Sequence, residues 1–172
     1  MPATLQLVRH ADGASFLERA GDWLLRSEAE NNLVLGLAMR LRQDTRGFQQ
    51  PIYLATVEEQ GAVVGCVLRT PPYKPILTDM PVEALPHIVA DLASEYGSLP
   101  AVLGPDPQAR QFAELWSAAT GVGWSAGRES RVYQLSQVTP PARPASGHAR
   151  LADHGDVDLV TAWIIAFSTE VS

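Results

Sequence analysis

Cysteine is nearly absent from this sequence, with Cys66 alone among 172 residues. A single thiol closes no intrachain disulfide and supplies no thiolate zinc set. Within an aliphatic stretch it reads as a small core hydrophobe, which fits a reducing, cytoplasmic setting. Clusters of Lys or Arg are also missing, and the formal net charge is −6. Nucleic acid and anionic membranes both reward a basic face, so neither is expected as a partner. No run of about 18 apolar residues exists to span a bilayer, and the opening MPATLQLVRHAD lacks the apolar segment of a signal peptide. What is present, 46% apolar and 19% charged residues, is ordinary for one well-buried soluble domain with a tail.

The strongest local signal is Pro51 to Pro72. Ile52 to Glu58 and Val63 to Thr70 are rich in β-branched and aliphatic residues, and Glu59-Gln60-Gly61 supplies the glycine of a short hairpin. Both strands are apolar on both faces, so helices are expected to cover both sides of the sheet.

Before the hairpin, Thr4 to Arg9 reads as a first strand. A capping box Ser15-x-x-Glu18 predicts a helix over Phe16 to Arg26, and a second box, Ser27-x-x-Glu30, predicts one over Asn31 to Gln43, with Leu33, Leu37 and Leu41 as its stripe, widened by Val34 and Ala38. After the hairpin, Pro71-Pro72 stops the strand and Pro75 to Asp79 restarts one. Pro81 to Leu85 reads as a turn, Pro86 to Tyr96 as a helix ended by Gly97, and Ala101-Val102-Leu103 as a short strand. Asp106-Pro107 opens a helix that buries Phe112, Leu115, Trp116 and Ala119 and ends at Gly121. Arg128 to Val138 reads as a last strand.

The predicted organisation is a lobe over 1–138, a Pro-rich linker over 139–147 and the start of a second unit over 148–172. In that last unit Asp156 to Glu170 is an amphipathic helix. Its face of Val157, Val160, Trp163, Ile164 and Phe167 is expected to dock on the first lobe or on another chain.

The element order and the phrases FLERAGDWLLRSEAENNLVLGLAMRL, VVGCVLRTPP, LPAVLGPDPQARQFAELWSAATG and GHARLADHGDVDLVTAWIIAF resemble the N-terminal part of two-lobed, tandem bacterial GNAT N-acetyltransferases. The resemblance covers nearly the whole chain. It implies an α/β (α+β) GNAT-like acyl-CoA N-acyltransferase fold, a mixed central sheet with helices on both faces. It further implies a degenerate first lobe, and a second lobe, beginning near Arg150, that carries the acetyl-CoA site in the parent protein. The parent would move an acetyl group from acetyl-CoA to an amine on a small molecule or peptide.

The family holds the coenzyme with a Q/R-x-x-G-x-G/A loop, whose backbone N–H groups and helix end cradle the pyrophosphate. The corresponding stretch, Leu77 to Pro86 (LTDMPVEALP), has no glycine. It places Asp79 and Glu83 where an anion would lie and loses two N–H donors at Pro81 and Pro86. Shifting the match to Leu103 to Pro107 meets two prolines and Asp106. The family's thiolate-protonating Tyr, four residues before the helix-ending glycine, falls on Ser117, or on Trp116 after a slip of one. The lobe is therefore expected to have no coenzyme-binding residue of the usual kind and to be inactive alone, and no residue is assigned a catalytic role. The alternative is a stand-alone binding or dimerisation module with a GNAT fold and no acetyl-CoA site.

Other reactive side chains have plainer readings. Glu58 and Glu59, adjacent on a strand, point to opposite faces. His10 and Asp12 read as a strand-end turn lacking a third metal ligand. His87, His148 and His154 read as surface residues. Trp23, Trp116 and Trp163 sit on apolar helical stripes, whereas Trp124 lies in the glycine-rich GVGWSAG and could line a cleft or cover a helix end. Ser125 lacks the G-x-S-x-G elbow of a hydrolase. Arg69, beside Thr70-Pro71-Pro72, is the first residue to test for substrate or partner contact, against local pairing with an acid.

Overall fold

The computed structural model describes residues 4–143 and 146–171, and it divides into two compact units, Met1–Gln134 and Leu135–Ser172. The first unit holds an antiparallel sheet of four strands in chain order: β1 (Leu5–Arg9), β2 (Tyr53–Glu59), β3 (Ala62–Arg69) and β4 (Ile76–Leu77). The β2–β3 hairpin forms as predicted. Gln60 and Gly61 both carry positive φ, 51° and 78°, the pairing a two-residue turn needs to follow the strand twist. A bulge between Val57 and Glu58 shifts the register at the turn end.

Helices cover both faces. On one, α1 (Gly13–Leu25) and α2 (Glu28–Gln43) pack Phe16, Ala20, Leu24, Val34, Ala38 and Leu41 against Leu54, Cys66 and Leu68. On the other, α3 (Leu85–Glu95) and α4 (Asp106–Thr120) pack Leu85, Ile88, Leu92, Phe112 and Trp116 against Tyr53, Ala55, Val57 and Val67. Alternate residues of β2 thus enter two separate cores, which is why the strand is apolar throughout.

Local starts differ from the sequence reading. Asp12 rather than Ser15 caps α1: the Ser15 amide donates to Asp12 Oδ1 at 2.8 Å, and this bond, with that of the Ser15 hydroxyl, holds Asp12 below the usual carboxylate range. Ser27 does precede α2, but its side chain makes no cap bond. The α2 stripe is rotated, with Leu33 exposed and Leu35 buried. The buried Asn31 turns inward to donate to the Leu24 carbonyl at 3.0 Å. A 3-10 turn, Val82–Ala84, leads into α3. α4 begins at Asp106, whose carboxylate pairs with Arg110 one turn on instead of capping.

Two predicted strands are corrected. Ala101 to Leu103 shrinks to one parallel bridge between Leu103 and Ile76, hemmed in by Pro100 and Pro105, which have no N–H to give a ladder. The sheet proper is therefore antiparallel, not mixed. Arg128 to Val138 pairs with no strand among the described residues and leaves Val132, Tyr133, Leu135 and Val138 exposed. Alternation gives a segment strand propensity; only a neighbouring ladder makes it a strand.

In the second unit, a 3-10 turn (His154–Asp156) runs into α5 (Val157–Glu170). Arg150 grips Asp156 through two bonds of 2.6 and 2.7 Å, and Asp156 accepts from the Asp153 amide. Most apolar residues of α5 are exposed, among them Trp163, Ile164, Ile165 and Phe167, while Val160 is half-buried. The boundary between the units falls at Gln134, four residues ahead of the predicted end of the first lobe at Val138. Among the described residues no helix is long and apolar enough to cross a membrane.

Candidate functional site

Three polar places in the first unit could hold a ligand. The first is where β4 and the Leu103 segment part. The Leu77 amide donates to Leu103 O at 2.7 Å and the Leu103 amide to Pro75 O at 2.9 Å. Beyond this contact no further bridge forms among the described residues, β4 leading to Asp79 and Met80 and the other segment into α4. The notch is occupied by α4 itself: the buried Gln108 donates through Nε2 to Asp79 Oδ1 at 2.6 Å and to Met80 O at 3.2 Å. Gly104 lies so close to β4 that a Cβ there would sit 2.9 Å from Leu77 Cβ. Side chains of the chain itself therefore take up the splay, with Pro81 following directly. Ser117 offers only its carbonyl, to the Gly121 amide, and Trp116 is buried in a stack with Phe112.

The second place lies under α1. The completely buried Thr56 donates its hydroxyl to Glu58 Oε1 at 3.0 Å and lies 3.0 Å from His10 Nε2. A hydroxyl has one proton, and Glu58 receives it, so His10 must be the Nε2–H tautomer donating to Thr56. Arg19 closes the chain with bonds of 2.9 and 2.7 Å to the two Glu58 oxygens and one to the Gly61 carbonyl. The Arg19 bonds, with that of Thr56, hold Glu58 below the usual carboxylate range, and burial lowers His10 despite the pull of Glu58. This arrangement cannot work as a nucleophile triad. The carboxylate orients the hydroxyl and not the imidazole, and every member is engaged. Glu58 is buried while its strand neighbour Glu59 is not, as opposite faces require, and His10 bonds Thr56 rather than Asp12.

The third place is the open end of the hairpin, where Tyr53 and Arg69 face each other on β2 and β3. The Arg9 guanidinium lies 3.9 Å over the Tyr53 ring and pairs with Asp91 at 3.0 Å and Glu95 at 3.5 Å, while Tyr53 donates to Asp91 at 2.6 Å. Burial first and this bond second raise the Tyr53 pKa far above a free phenol, so the group is a fixed donor and not an acid. Beside it the Arg69 guanidinium lies 3.9 Å over the ring of Tyr96, which donates to Pro51 O at 2.7 Å. Arg69 Nε donates to Tyr73 O at 2.9 Å, but its Nη1 is buried and has no hydrogen-bond partner among the described residues. A buried donor left unmet costs about 1–3 kcal/mol. Arg69, Tyr96, Gln50 and four prolines line a cleft of about 540 Å³ here. Among the described residues no acid pairs with Arg69, which was the plainer expectation.

His87, His148 and His154 are exposed, and Trp124, 43% exposed, sits in a stretch without regular structure. Among the described residues no group of three His, Cys, Asp or Glu side chains could hold a metal. Sequence reasoning missed Tyr53, Tyr96, Thr56 and Gln108; paired strand positions such as Tyr53 and Arg69 were the one signal that could have found the cleft. Comparison with known proteins finds no matching family model, no matching curated protein and no matching solved structure.

Proposed function

We propose that this chain is a non-catalytic, GNAT-like lobe, belonging to a tandem N-acetyltransferase that transfers an acetyl group from acetyl-CoA to an amine, and acting in the cytoplasm. Its own part is structural: it shapes an acceptor cleft, supports a second lobe or pairs with another copy. The element order supports this reading, with two helices between β1 and the hairpin and a helix between β4 and its parallel neighbour at Leu103. The apolar exposure of α5 supports an associating role for the second unit.

The observation that carries the non-catalytic part is Gln108. In a lobe that gripped the coenzyme, the space where β4 leaves its neighbour would be lined with free backbone donors. Here a buried amide side chain fills it and satisfies Asp79 and Met80 instead. Pro81 removes one further donor, and the acidic Asp79 opposes a pyrophosphate. Thermal denaturation of the full chain with acetyl-CoA tests this. No saturable change in Tm up to about 100 µM ligand is expected, since a ligand specific for the folded state must raise it. A saturable rise at micromolar acetyl-CoA overturns the reading.

A further inference from the structure

We propose that the Arg69 cleft is a binding site for a small monocarboxylic acid with an apolar body, the carboxylate accepting from Arg69 and the body lying along Tyr96, Leu99 and the prolines. This does not depend on the lobe's family. Arg69 is 6% exposed, its Nε is engaged by Tyr73 O, and the Tyr96 ring lies against the guanidinium. Its Nη1 donor is buried with no acceptor among the described residues, and the residue lines the cleft. An acceptor for it can come from a molecule seated there, at the side where Gln50 is exposed.

The ligand class follows from what surrounds that donor. Four of the lining residues, Pro51, Pro71, Pro72 and Pro100, have no backbone N–H to give a phosphate. Glu95 is also on the lining, tied to Arg9 at 3.5 Å. One cation facing a nearby acid tolerates a single negative charge and disfavours a dianion. A planar carboxylate suits a guanidinium edge, and the pyrrolidine, Leu99 and Tyr96 surfaces suit an alkyl or aryl remainder.

The test is an NMR titration of the uniformly 15N-labelled full chain with hexanoate, hexanamide and inorganic phosphate, each to about 20 mM, a range that reaches millimolar affinity. Hexanoate is expected to give saturable shifts centred on Arg69, Tyr73, Tyr96 and Leu99. Hexanamide and phosphate should bind at least about tenfold more weakly, because one lacks the charge and the other meets Glu95. Arg69→Lys, which keeps the charge and loses the fork, should weaken hexanoate about tenfold. Should Arg69→Lys fail to fold, Glu95→Gln at the exposed rim carries the test and should tighten hexanoate about two- to threefold by removing a like charge. The proposal is overturned by the absence of saturable shifts with hexanoate, by equal binding of hexanamide or phosphate, by an unchanged Kd in folded Arg69→Lys, or by no tightening in Glu95→Gln.

Discussion

The two faces of the sheet handle buried polarity in opposite ways. Under α1, the chain His10, Thr56, Glu58 and Arg19 is closed, with no buried side-chain atom of the four left without a partner. On the α3 face, the Arg9, Tyr53 and Asp91 contacts are half-exposed and the neighbouring Arg69 keeps a donor unmet. Both rest on the same strand, since Thr56 and Tyr53 are positions of β2 that point to opposite sides. A closed network fixes a fold, whereas an open one beside a cleft leaves something for a partner to complete.

Matched hydroxyl deletions on β2 sharpen that contrast. Thr56→Val keeps the shape and β propensity but leaves the His10 Nε2–H without its acceptor and Glu58 Oε1 with Arg19 alone. It should cost about 2 kcal/mol in urea denaturation. Tyr53→Phe removes one bond to Asp91, which keeps Arg9 and is partly open to water. About 1 kcal/mol or less is expected, and a larger loss than in Thr56→Val would erase the distinction between the faces.

The smallest effect is a pH dependence. Burial depresses His10 in the folded chain, so on acidification the unfolded chain takes up this proton first. The associated stability is complete above about pH 6.5 and is lost as pH falls below it. Denaturation midpoints at pH 7.5, 6.5 and 5.5 should decline, and His10→Asn should flatten the decline; an unaltered slope in that variant would mean the imidazole takes no part.

Much of the fold was legible because its causes are local. Both-face apolarity of the hairpin announced helices on two sides, Gln60-Gly61 announced the turn, and the periodicity of Phe112 and Trp116 announced α4. What was not legible depends on partners far along the chain. Arg128 to Val138 has strand alternation, yet no ladder receives it. Asn31 rotates α2 through a bond to Leu24 that no stripe count reveals. At the candidate site, Arg69 was singled out from its place at a strand end. Its unmet donor became visible only when Tyr73 and Tyr96 were brought around it. The closed network joins His10 to residues of the hairpin, and no short motif encodes that.

Cys66 has a consequence for how the molecule can be watched. Its side chain is fully buried in the middle of β3 between α1, α2 and the neighbouring strands, and burial raises the thiol pKa well above that of a free cysteine. An alkylating reagent reaches this sulfur only when β3 leaves the sheet, so its modification rate clocks the opening of the lobe from within, with no introduced label.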